Sequence, residues 1–93
     1  MNMQVPMPQL ESVEAKIGEF LETLSVDVSG HERMADVPLL ADDTLDSLGL
    51  VQLSMFLADA FEVVIEDEDF QPENFETVGS LSRLVHAKLA GAV

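Results

Sequence analysis

The residues best placed to do chemistry lie in the stretch DTLDSLGLVQL, residues 43–53, where the hydroxyl of Ser47 stands between Asp46 and Leu48 just as an apolar helical period begins. At a helix start, either Asp46 or Ser47 could cap the free backbone N–H groups, and the helix dipole makes the same place favourable to an anion. A phosphate on Ser47 would sit in that field. Taken alone, the tripeptide supports no more than a cap.

The other candidate groups are weaker. Glu66-Asp67-Glu68-Asp69 lacks the alternating acids, central glycine and final glutamate of a calcium loop, and is expected to be a solvated acidic patch that meets basic partners. His31 and His86 have no nearby His or Cys to complete a metal set, so both are expected at the surface and no metal site is expected. Ser47, His86 and an aspartate have neither the spacing nor the elbow motif of a hydrolase triad. The chain has no cysteine, which excludes thiolate catalysis and disulfides; any thiol function must come from an attached group. No enzyme activity is expected.

Around these residues the chain reads as all-α. Residues 1–8 are expected to be a flexible tail and residues 9–93 a single domain. Leu10, Val13, Ile17, Leu21 and Leu24 recur at helical spacing and predict a first helix over about residues 8–24. A long loop over 25–45 follows, marked by Gly30 and Pro38 and pinned by Leu39, Leu40 and Leu45. A second helix is expected over 46–61, then an extended Val63-Val64-Ile65, a short helical segment or turn at Pro72-Glu73-Asn74-Phe75, and a last helix capped by Thr77. Val78, Leu81, Leu84 and Val85 form its apolar stripe, and Lys88 falls near its negative end. Three longer helices, one short third helix and a long first loop make a four-helix bundle.

Composition limits the partners. The 18 acids against 4 Lys and Arg give a net charge of -14. Such a surface repels nucleic acid and anionic membranes and favours partners that present Lys and Arg. Residues 1–9 lack the basic residues and continuous apolar run of a signal peptide and no segment approaches membrane-spanning length, so a cytoplasmic location is expected; the chain is expected to be a monomer. A chain of 93 residues is too short for a deep cleft between domains.

The second helix carries two apolar faces. Leu50, Leu53, Leu57 and Phe61 form an ordinary core stripe. Nearly opposite stand Leu48 and Met55 with Val51 at the margin, interleaved with Gln52, Asp59 and Glu62; the acids disfavour burial, and the mixture suits a transient interface. Phe56 lies between the faces and is expected to pack under the acidic third segment, with a cavity for a bound chain as the alternative.

Asp46-Ser47-Leu48, followed by Val51, Leu53, Phe61 and Ile65, an acidic run and the Phe75-x-Thr77-Val78 entry to the last helix, resembles the acyl carrier protein family along nearly the whole chain. The resemblance implies 4'-phosphopantetheine covalently attached to Ser47, with Asp46 capping the helix and guiding a phosphopantetheinyl transferase. It further implies acyl intermediates held as thioesters and shuttled among a loading or adenylating enzyme, a ketosynthase and other acyl-processing enzymes with basic docking patches. Leu48, Val51, Gln52, Met55, Asp59 and Glu62 are the implied partner face. Fatty-acid-synthesis members differ at the positions of Leu45, Gly49 and Gln52, and the segment 70–78 is longer here. It resembles the free-standing carriers of polyketide and related specialised pathways. An aminoacyl or peptidyl carrier, and an unmodified acidic helical adaptor, are the alternatives.

Overall fold

A computed structural model describes residues 9–26, 28–40 and 45–91, apart from the side chain of Ser47. Among them are three α-helices, α1 (Leu10–Thr23), α2 (Ser47–Phe61) and α3 (Val78–Leu89), and two single 3₁₀ turns, Met34–Asp36 and Asp67–Asp69. The fold is all-α. The expected tail lies outside the described residues, as does the part of the long loop at 41–44.

Helix α1 starts after Gln9, whose side chain makes no cap bond, and buries Val13, Ile17 and Leu21 on one stripe. It ends one residue sooner than its period suggests, with Thr23 Oγ1 donating to the Phe20 carbonyl at 2.6 Å and Ser25 in the left-handed region at φ 65°. Leu24 therefore leaves the core stripe and is only half-buried.

The long loop is held differently from expectation. Val37 and Leu39 are buried, Leu45 packs half-buried against the core, and Leu40 faces solvent. Leu39 N–H donates to the Glu76 carbonyl at 2.9 Å, and Val78 N–H donates to the Val37 carbonyl at the same distance. This antiparallel bridge, centred on Pro38 and Thr77, fixes the side-chain alternation so that 37 and 39 point inward and 40 outward. The loop thereby gains hydrogen-bond partners that an unattached segment would have to find in water. The next turn, Met34–Asp36, lies against α3, and Gly79 makes the approach possible: a Cβ there would sit 2.9 Å from Ala35 Cβ and 3.0 Å from the Ala35 carbonyl oxygen.

Helix α2 buries Leu53, Leu57 and Phe61, with Leu50 half-buried beside them. Phe56 does not pack under the acidic segment. Its ring stacks on Phe20 of α1, with centroids 4.4 Å apart, and meets Phe61 edge-on. Past α2, Val63 is buried, Val64 exposed and Ile65 half-buried, the alternation of an extended chain crossing the core edge.

The acidic run is only partly the solvated patch expected. Glu66, Asp67 and Glu68 are exposed, but Asp69 is buried and bonded to Lys88 Nζ at 2.7 Å. Its Oδ2 also accepts from Glu66 N–H at 2.8 Å, closing the 3₁₀ turn Asp67–Asp69. The segment 72–75 is a turn, with Phe75 N–H donating to the Pro72 carbonyl. Helix α3 begins at a reciprocal cap: Ser80 N–H donates to Thr77 Oγ1 and Thr77 N–H to Ser80 Oγ. Val78, Leu81 and Val85 are fully buried, whereas Leu84 sits at the margin.

Ser82 is also fully buried on α3, and among the described residues its hydroxyl has no hydrogen-bond partner. A buried unpaired hydroxyl carries its desolvation cost without recompense, and Ala is the better helix former. Ser82→Ala should raise the unfolding free energy by about 1 kcal/mol in urea titrations. A loss of stability would mean that the hydroxyl is paired in solution.

Candidate functional site

The N-terminus of α2 resolves which residue is the cap. Asp46 has extended backbone, and its Oδ1 accepts from Gly49 N–H at 2.7 Å, while its carbonyl accepts from Leu50 N–H at 3.0 Å. Asp46 thus supplies the capping carboxylate, and Ser47 is the first residue of the helix proper. The Ser47 side chain lies outside the described residues. Gly49 has a local reason: a Cβ there would stand 3.0 Å from Leu45 Cδ2 and 3.2 Å from Asp46 Oδ1, crowding the capping carboxylate.

From this point the strip on α2 runs along the helix. Leu48, Val51 and Met55 are 65%, 53% and 66% exposed, and Gln52 and Asp59 are exposed beside them. At about 100° per residue these five fall within an arc of about 100°. Met55 stands about 12 Å along the axis from Ser47, at 1.5 Å per residue. Burying Leu53 and Leu57 turns this face outward, because the helix has a core on one side only.

Glu62 does not join the strip. The helix ends at Phe61, Glu62 adopts a left-handed backbone at φ 56°, and it lines a separate cleft with Val64, Glu66, Glu68 and Lys88. The helical period could not reveal this, since it holds only while the helix continues.

Two residues missed as surface candidates border the strip. Phe20 and Leu24 line an open groove with Gln52, Met55, Phe56 and Asp59. Phe20 sits at the edge of the α1 stripe, and Leu24 reads as core until the early end of α1 frees it. Of the basic residues, Arg33 pairs with Asp36 and Lys88 with Asp69. Asp59 and Glu62 have no ion pair among the described residues.

His31 is exposed in the loop and His86 half-buried on α3. Among the described residues no group of three or more His, Asp or Glu is arranged to hold a metal ion, and no helix is long and apolar enough to cross a membrane. No protein-family model matches the chain, and no curated protein matches it.

Proposed function

We propose that the chain is a carrier whose Ser47 hydroxyl is esterified by 4'-phosphopantetheine and whose α2 strip docks the enzymes that use the arm. The observation that carries this reading is the division of labour at the start of α2. Asp46 takes the capping role, so the serine at the first helical position is not needed as the cap, and the exposed Leu48, Val51 and Met55 begin beside it.

The residues present fit the group. A phosphodiester at the first residue of a 15-residue helix would lie at the positive end of the dipole, with the carboxylate of Asp46 turned onto Gly49 N–H. The group, when attached, would supply the thiol that a cysteine-free chain lacks, on which an acyl group could be carried. The protein itself catalyses nothing in this reading: α2 presents the serine to a transferase, its apolar strip makes the contact, and its acids select basic partners. In this reading the connection between α2 and α3, with its turns at Asp67–Asp69 and 72–75, would correspond to the short third segment of a four-helix bundle. The length of the segment 70–78 favours a free-standing carrier of specialised metabolism.

The test is direct. Incubation with coenzyme A, Mg²⁺ and a broad-specificity phosphopantetheinyl transferase should add one phosphopantetheine to the intact mass, and Ser47→Ala should add none. Absence of an adduct on the parent chain, or an adduct on Ser47→Ala, defeats the assignment.

A further inference from the structure

Beside the outward strip, α1 and α2 leave an open groove of about 510 Å³ whose floor is the stacked pair Phe20 and Phe56. Leu24 and Met55 add to its apolar lining, and Gln52 and the exposed Asp59 supply the polar part. Lys16 and Glu19 line a separate, smaller groove that shares Phe20 and Phe56. Of the described residues that line the larger groove, Asp59 is the charged one.

We propose that this groove seats an apolar side chain from a Lys- or Arg-bearing segment of a partner protein, so that the docking face runs from α2 onto α1. Two observations and two exclusions select this occupant. The apolar lining offers Phe, Leu and Met, which suit a buried hydrophobic anchor, and methionine adapts to several shapes. Asp59 is exposed with no ion pair among the described residues, in a chain of net charge -14. A second copy of the chain would bring the same carboxylate and the same net charge against itself, so charge disfavours self-pairing. A simple acyl chain would fill the apolar part but leave Asp59 without a counter-charge. The inference extends the partner face proposed above, yet it does not depend on modification of Ser47.

A nitrogen-15 NMR titration with a helix-forming peptide of Leu and Lys tests it, alongside versions with every Leu replaced by Ser or every Lys by Glu. Saturable shifts should centre on Phe20, Leu24, Met55 and Phe56. Met55→Gln and Leu24→Gln should each weaken binding about tenfold, the cost of losing part of an anchor site. Both control peptides should bind at least tenfold more weakly, and all of these results should hold for protein never exposed to a transferase. Equal binding of the Ser peptide, shifts centred on Glu66 and Glu68, or indifference to both variants overturns the proposal. So does a response of the groove to decanoate but not to the peptide, which assigns it to an acyl chain, or shifts at these residues that depend on protein concentration alone, which assign it to self-association.

Discussion

Asp69→Asn should lower the unfolding free energy by about 3 kcal/mol at neutral pH, a large share of the roughly 5–15 kcal/mol typical of a natural domain. The reason is what remains. Both side chains of the pair are nearly sealed from solvent, at 10% exposure for Lys88 and 8% for Asp69, so the variant keeps a largely buried ammonium without its paired carboxylate, leaving it only the exposed acids of the cleft it lines. The Asn amide oxygen can still accept a hydrogen bond, which places the loss at the lower end of the range for broken buried pairs. The pair also fastens the 3₁₀ turn to α3, and Asn74 Nδ2 donates to the Asp69 carbonyl, so the 66–75 connection should loosen with it.

The same pair gives a pH signature. Burial opposes ionisation of Asp69, but the hydrogen bonds from Lys88 and Glu66 N–H and the Lys88 charge outweigh it, and its pKa lies below the ordinary carboxylate value. A carboxylate with a depressed folded pKa contributes its stability fully above the unfolded value, near 4, and loses it as pH falls through the folded value. The parent alone is ambiguous, because acid also relieves self-repulsion in a chain of net charge -14. The difference between parent and Asp69→Asn isolates the group: in urea titrations followed by circular dichroism it should be constant above about pH 5 and shrink below about pH 4. A difference that is absent at pH 7, or undiminished in acid, refutes the role given to the pair.

Gly79→Ala is the second large effect, an expected loss of about 2 kcal/mol. In an open helix this change would stabilise by up to about 1 kcal/mol. Here the added methyl meets Ala35 Cβ at 2.9 Å, its carbonyl oxygen at 3.0 Å and its Cα at 3.4 Å. Those are mostly backbone atoms, and the segment just after them is tied to Glu76 and to the first residue of α3 by the bonds of Leu39 and Val78. The loop cannot retreat without breaking them, so the overpacking cost of about 1–3 kcal/mol exceeds the gain in propensity. A melting temperature equal to or above the parent's would show that the loop yields freely.

Local patterns made much of this legible. The bounds of α2, the Thr77 cap and the outward strip follow from short-range rules: a capping residue, a 3.6-residue period, and a second apolar face with no core to enter. What escaped depended on partners distant in the chain. Asp69 reads as one acid among four until Lys88 is seen beside it. Leu40 is as apolar as Leu39, and only the bridge to Glu76 and Val78 decides which points inward. Phe56 lies between two faces on the wheel, and its place was chosen by Phe20 of another helix. At the site, Asp46 and the strip were readable, whereas Leu24 and Glu62 were misplaced because each sits just past the end of a helix.

The bridge between Pro38 and Thr77 also bears on the order in which the chain folds. It joins segments far apart in sequence, so its two hydrogen bonds form only after the entropy of closing everything between them, α2 included, has been met. The first turn of α3 and the inner end of the long loop therefore order together and late, as non-local contacts do. Once formed, they are linked in opening as well: an excursion of residues 37–39 has to break the bonds to Glu76 and to Val78 at the start of α3.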